Sequence, residues 1–311
     1  MQSMIKRIRE LKKQRQAIIL AHNYQRDEVQ DIADFVGDSL GLAQTASKTD
    51  AKVIVFCGVH FMAETAAILC PDKIVLMPDP QAGCPMANMI TVRELKELKK
   101  HYPDAVVVTY VNSSAAIKAE SDYCCTSSNA VKLVQSIPKE KRIIFIPDQY
   151  LGSYVKSQTC LTGSQFGQAG RDIGLWRGYC PTHRRILPQD IENKKHLYPK
   201  AEVVVHPECT PEVIALADKV ASTSGILKYC HESDRNEFII GTEIGILHRL
   251  KKENPGKTFI PVTELADCPN MKLNSLEKII WSLEDMQTRI TVPEDIAQRA
   301  MKSIQRMLAV Q

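Results

Sequence analysis

The sequence predicts an α/β protein of three homologous three-layer α/β domains, related by pseudo-threefold symmetry, each built on a parallel sheet. Three observations lead there. Short apolar runs alternate with amphipathic stretches, a pattern of about thirty residues recurs three times, and one cysteine closes each recurrence.

Taken in order, residues 1–16 set Met4, Ile5, Ile8 and Leu11 at helical spacing among Lys and Arg, which predicts an amphipathic first helix. They lack the apolar core and small-residue cleavage site of a secretory signal. Strand signals follow at 17–21, 53–57, 74–77, 105–109, 143–146, 203–205, 238–240 and 258–261, all short and mostly β-branched. Amphipathic stretches such as 92–100 and 212–221 lie between them, so parallel sheets covered by helices are expected.

Segments starting at Ala17, Ala105 and Ala201 align without gaps. Each reads as a strand, a polar triplet, a helix, an Asp, a Ser/Thr-rich turn and a second helix. Counting from His22, Tyr110 and His206, an Asp stands twelve residues on (Asp34, Asp122, Asp218), and a hydroxyl seventeen on (Ser39, Ser127, Thr223). Three domains are therefore expected: 1–86 with 272–311, then 87–182, then 183–271, with the active site at their junction. The final segment has no repeat partner and is expected to pack back on the first domain.

The balance of 40 basic and 36 acidic residues, a net charge of +4, is too even to argue for nucleic acid. No apolar run is long enough for a bilayer, so no membrane association is expected. Ten cysteines without a signal peptide point to a reducing, cytoplasmic setting. There is no CxxC pair, which leaves a zinc ribbon or thioredoxin-type site unsupported.

The repeat sorts the cysteines. Cys84, Cys180 and Cys268 each end a repeat and would meet at the threefold axis. Cys70, although followed by proline, has no counterpart and reads as structural, while Cys57, Cys124, Cys125, Cys160, Cys209 and Cys230 are expected to serve packing. Three thiolates are one short of the set that closes a 4Fe-4S cluster, leaving one iron open. The rival is zinc, held by three thiolates with an open position or by Cys180 and His183, three residues apart.

The triplets His22-Asn23-Tyr24, Tyr110-Val111-Asn112 and His206-Pro207-Glu208 fall where open α/β domains bind ligands, just past the carboxyl ends of strands. Gly37-Asp38-Ser39, Thr126-Ser127-Ser128 and Ser222-Thr223-Ser224 read as helix caps. Such ends also bind carboxylate or phosphate, which suits a small, multiply anionic ligand.

The chain resembles the quinolinate synthase family, the A protein of bacterial and archaeal NAD biosynthesis. The likeness spans its length and rests on AHNYQ at Ala21, GDS at Gly37, YVNSSAAIKA at Tyr110, CTSSNA at Cys125, GYCPTH at Gly178, HPEC at His206, STS at Ser222 and CPNMK at Cys268. It implies a triangle of three related α/β domains. It also implies a transferase that condenses iminoaspartate with dihydroxyacetone phosphate to quinolinate, phosphate and water.

The same resemblance implies a 4Fe-4S cluster on Cys84, Cys180 and Cys268, whose open iron acts as a Lewis acid. Substrate would be bound by His22, Ser39, Tyr110, Asn112, Ser127, His206, Glu208 and Thr223, with Val111 and Pro207 giving backbone contacts at most. Glu208 and Tyr24 are the expected proton carriers, with Glu208, the one carboxylate of the triplets, as the main base. L-aspartate oxidase or aspartate dehydrogenase would supply iminoaspartate transiently. Two rival functions are a non-catalytic iron–sulfur metabolite sensor and a zinc-dependent lyase.

Overall fold

Three sheets of four parallel strands organise the chain, and all three have the same strand order. The computed structural model of the protein describes residues 1–159 and 173–310. The expectation for Cys160 lies outside them. The first sheet comprises β1 (Ala17–His22), β2 (Phe35–Gly37), β3 (Val53–Cys57) and β4 (Ile74–Leu76), ordered β2-β1-β3-β4. The second comprises β5 (Val106–Tyr110), β6 (Tyr123–Cys125), β7 (Ile143–Ile146) and β8 (Ile173–Leu175), ordered β6-β5-β7-β8. The third comprises β9 (Glu202–Val205), β10 (Lys219–Val220), β11 (Glu237–Gly241) and β12 (Thr258–Pro261), ordered β10-β9-β11-β12.

Burial explains these strands. All five residues of β3 are buried, as a sheet covered on both faces requires. Alternate residues face opposite layers. Leu20, Ile54 and Phe56 join a central cluster with Val108, Ile143, Val204 and Phe238 of the other two sheets. Ile19, Val53 and Val55 instead pack outward against Ile8 and Leu11 of the first helix, Gln2–Arg15, and against Leu276 and Ile279.

The sequence expectation passed over β2, β6, β8 and β10, each only two or three residues long. The repeated Asp explains how three of these edges hold. Oδ2 of Asp34, Asp122 and Asp218 accepts the amide of Ile19, Val107 and Val203 at 2.7, 2.8 and 2.8 Å. The amides of the same three aspartates donate to the carbonyls of those same strand residues at 2.9 to 3.0 Å. Each Asp thus lengthens the ladder of a strand too short to show a period of its own.

The C-terminal segment divides. The helix Leu276–Asp285 packs on the first helix, where Arg15 donates to the Leu283 carbonyl at 3.0 Å. The helix Glu294–Ala309 reaches the second unit: Ser303 donates to the Lys118 carbonyl at 2.9 Å, and Asn129 to the Met307 carbonyl at 3.0 Å. No helix among the described residues is long and apolar enough to cross a membrane.

Candidate active site and metal centre

The carboxyl ends of β1, β5 and β9 converge on one cavity of about 170 Å³. From the first unit it is lined by His22, Tyr24, Ser39 and Cys84. The second unit contributes Tyr110, Asn112, Ser127 and Cys180, and the third His206, Glu208, Thr223 and Cys268. Val111 and Pro207 do not line it. The Val111 amide is used by the Cys125 carbonyl at 2.8 Å, and Pro207 faces a separate cleft beside Lys219 and Tyr229.

His22 and His206 are held alike. The amide two residues on donates to Nδ1 of each ring, from Tyr24 at 3.2 Å and from Glu208 at 3.3 Å. That assignment leaves Nε2 to carry the proton, and on His206 it meets the Ser127 hydroxyl at 3.2 Å. Burial, opposed by Asp38, lowers His22 to about 4; burial, opposed by Glu208, lowers His206 to about 3. Both rings are therefore neutral N–H donors at pH 7.

The hydroxyl turns divide between capping and lining the cavity. Asp38 and Ser222 cap the helices Ser39–Lys48 and Thr223–Glu232, accepting the amides of Gly41 and Gly225 at 2.9 and 3.2 Å. Ser39 and Thr223 then open these helices beside the cavity. In the second unit Asn129 Oδ1 accepts the Thr126 amide at 2.8 Å, and Ser127 is left facing His206.

One hydrogen-bonded path joins Tyr24 to Glu208. The Tyr24 hydroxyl lies 2.9 Å from Thr223 Oγ1 and 2.7 Å from Thr242 Oγ1. Thr242 Oγ1 lies 2.8 Å from His183 Nε2, and His183 Nδ1 lies 2.7 Å from Glu208 Oε2. Burial favours the neutral acid of Glu208, yet His183, His206 and Tyr110 beside it hold the carboxyl well below the usual range. Its other oxygen, Oε1, is buried without a hydrogen-bond partner among the described residues.

Sequence reasoning named His183 only as a rival zinc ligand with Cys180, without a role in proton movement, and it passed over Thr242 altogether. The repeat register held a signal for the latter, because Thr242 follows β11 as the triplets follow the first strand of each unit.

Exposure separates the cysteines. Cys57, Cys70, Cys124, Cys125, Cys209 and Cys230 are buried, whereas Cys84, Cys180 and Cys268 are half-buried and line the cavity. Burial pushes the Cys84 thiol up to about 12 and raises those of Cys180 and Cys268. Three thiols around one cavity, each pushed by burial toward its neutral form, are the donor set that a bound cationic centre would complete.

A second donor set overlaps it. Single donor atoms of Cys180, His183 and Glu208 lie within 4.8 Å of one another, a group able to hold a metal ion. Its 2.7 Å contact between His183 Nδ1 and Glu208 Oε2 is a hydrogen-bond length. Two such ligands on tetrahedral zinc, each about 2.0–2.2 Å from the ion, stand roughly 3.4 Å apart.

A family model described as quinolinate synthetase A protein matches residues 6–309. The chain is 59% identical over 304 residues to a quinolinate synthase of Dehalococcoides mccartyi strain BAV1, covering 98% of this chain and 97% of that protein. It is 57% identical over 303 residues to one from Geotalea uraniireducens, covering 97% and 96% of the two chains. It is 54% identical over 307 residues to one from Methanosarcina barkeri, covering 99% and 97%.

Proposed function

The chain belongs to the quinolinate synthetase A protein family, enzymes of NAD biosynthesis, and from that premise we propose that it condenses iminoaspartate with dihydroxyacetone phosphate, giving quinolinate, phosphate and water. This is a transferase reaction that depends on a 4Fe-4S cluster held by Cys84, Cys180 and Cys268. The domains are 1–86 with 272–311, 87–182 and 183–271, with the reaction at their junction. The observation that carries the reading is the hydrogen-bonded path from Tyr24 to Glu208 beside the three half-buried cysteines.

Two carboxylates and a phosphate must be held in a cavity with few cations. The neutral Nε2–H donors of His22 and His206 suit this, because they bind an anion without giving up a proton. Ser39 and Thr223 add helix N-termini from two ten-residue helices, and Ser127, Tyr110 and Asn112 add polar side chains from the second unit. Buried Asn112 Oδ1 has no hydrogen-bond partner among the described residues and can accept a substrate N–H or O–H.

The chemistry needs a proton removed from carbon during the ketose–aldose rearrangement and protons delivered to leaving oxygens. Glu208 is the base, with Oε1 unpartnered on one side and His183 on the other. His183 takes up the proton that Glu208 collects. Thr242 links that ring to Tyr24, so the Tyr24 phenol is reprotonated as it donates. When bound, the cluster supplies a Lewis-acidic iron for an oxygen leaving group. The unstable imine arrives by transient supply from L-aspartate oxidase or aspartate dehydrogenase.

Anaerobic purification with iron and sulfide analysis and a quinolinate assay tests the reading. Iron and sulfide with quinolinate formation are expected. A protein that holds a cluster and binds substrate without making product would be a sensor. Zinc with neither iron nor sulfide would favour a lyase site at Cys180, His183 and Glu208, the reading to which their shared 4.8 Å grouping gives weight.

A further inference from the structure

Glu243 is fully buried, and the reaction above gives it no part. It stands two residues beyond β11, the place that Asp148 takes beyond β7 and Val59 beyond β3. Two of the three repeats therefore carry a buried carboxylate at the same position, and each of those repeats ends in a half-buried cysteine.

Glu243 faces the cysteine loop of its own repeat. Oε1 of Glu243 accepts the Cys268 amide at 3.0 Å and the Lys272 ammonium at 2.9 Å, while Oε2 accepts the Gly245 amide at 2.7 Å. Lys272 also donates to the Tyr24 carbonyl at 2.6 Å, which ties this loop to the first unit. Gly245 leaves the space for it: a Cβ there would lie 2.7 Å from Lys272 Nζ and 2.9 Å from Glu243 Oε2.

In the second repeat Asp148 instead caps its own helix: Oδ1 accepts the Tyr150 and Leu151 amides at 2.7 and 3.0 Å, Oδ2 has no hydrogen-bond partner among the described residues, and the neighbouring Gln149 amide donates to the Gly178 carbonyl at 2.9 Å. The Val59 side chain has no acceptor to offer. There the His60 amide donates instead to the Ala82 carbonyl at 2.8 Å, two residues before Cys84.

The geometry points to Glu243 as a positioning residue for metal-holding Cys268. A carboxylate that takes the amide of a ligating cysteine fixes the loop before the metal arrives, and partners of this kind outside the ligand set govern metal retention. Lys272 offsets the buried charge. The inference rests on the proposed cluster at Cys84, Cys180 and Cys268.

Two conservative variants separate position from charge. Glu243→Gln keeps an acceptor oxygen within reach of the Cys268 amide and loses the charge. Glu243→Asp keeps the charge and withdraws the oxygen by one methylene. After anaerobic reconstitution, iron and sulfide per chain and the rate of iron release to a ferrous chelator are measured, with far-ultraviolet circular dichroism to check the fold. Glu243→Asp is expected to release iron about tenfold faster than wild type or more, with Glu243→Gln within about threefold of it. A wild-type protein that takes up no iron and sulfide strikes the cluster reading itself. A loaded wild type with Glu243→Asp no faster than Glu243→Gln, or a folded Glu243→Gln that loses iron rapidly, overturns the positioning role.

Discussion

Nδ1 of His183 lies 2.7 Å from Oε2 of Glu208, and the His183 ring stacks on that of His206 with centroids 4.6 Å apart. Both partners of this contact are almost wholly buried, so removing either leaves an uncompensated polar group. The pair also joins the two candidate proton carriers, because Nε2 of the same ring meets Thr242 and, through it, Tyr24.

If this path carries protons, substitution should act on turnover more than on binding. Glu208→Gln is expected to lower kcat by about 100-fold or more, with KM changed far less. Thr242→Val, which cuts the path midway, should lower kcat by a smaller factor in the same direction. Steady-state kinetics on the anaerobic protein give both numbers. A Thr242→Val enzyme with full turnover would remove the path as a proton route.

The thiols give a sharper division. Cys84→Ala, Cys180→Ala and Cys268→Ala are each expected to abolish stable iron and sulfide binding, since each removes one of the three proposed protein ligands. Cys57→Ala, Cys209→Ala and Cys230→Ala remove thiols buried away from the cavity. They should keep the metal and lose stability by the cost of a small core cavity, about 1–2 kcal/mol. Iron and sulfide analysis of the six variants is the measurement, and an iron-replete Cys84→Ala protein would sink the ligand assignment.

The repeated aspartates should act on stability alone. Asp122→Ala frees the Val107 amide, which Asp122 Oδ2 now accepts at 2.8 Å. A buried amide without a partner costs about 1–3 kcal/mol. Asp34→Ala and Asp218→Ala are expected to cost similar amounts, because the same bond recurs at 2.7 and 2.8 Å. Urea denaturation of the apoproteins compares them, and a loss at one position only would show that the threefold equivalence is not energetic.

These aspartates also show where the sequence was legible. Their spacing was visible because three copies repeat it, and the long strands were visible because runs such as 53–57 are apolar throughout. β10, two residues long, carries no period, and its register depends on Asp218. The triplets were found because they follow the first strand of each repeat. Thr242, Asp148 and Glu243 follow the third strand; Thr242 and Glu243 meet partners from other segments that only tertiary structure reveals, while Asp148 caps its own helix. His183 is the clearest case. Its place next to Cys180 suggested a ligand or a neighbour, but its link to Glu208 spans twenty-five residues and crosses no motif boundary that spacing could mark.

Acid should weaken the folded apoprotein through His22 and His206. An unfolded chain binds these protons near the ordinary imidazole value of 6.5, whereas burial first of all delays uptake to about 4 and about 3 in the fold. Between those limits the unfolded state holds more protons, so stability falls as pH falls. The contribution is complete above about pH 6.5 and is lost progressively on the way down to about pH 3. His22→Gln should flatten that part of the profile. Denaturation midpoints from pH 8 to 4 give the slopes, and identical slopes for both proteins would contradict a neutral, buried His22.

Gly178 offers a test of how closely the Cys180 loop must be placed. It bridges Asp148 in parallel and stands two residues before the cysteine. A Cβ at this position would lie 2.4 Å from the Pro147 carbonyl oxygen and 3.3 Å from Met89 Cβ. The first obstacle is backbone, so the loop itself must give way, and Cys180 moves with it. Gly178→Ala is expected to lower iron and sulfide per chain several-fold. Gly256→Ala, where a Cβ meets nothing within 4 Å, should leave them at the wild-type level. If Gly178→Ala keeps its iron and its release rate, the loop tolerates displacement and the thiol at Cys180 need not be held tightly for the metal to stay.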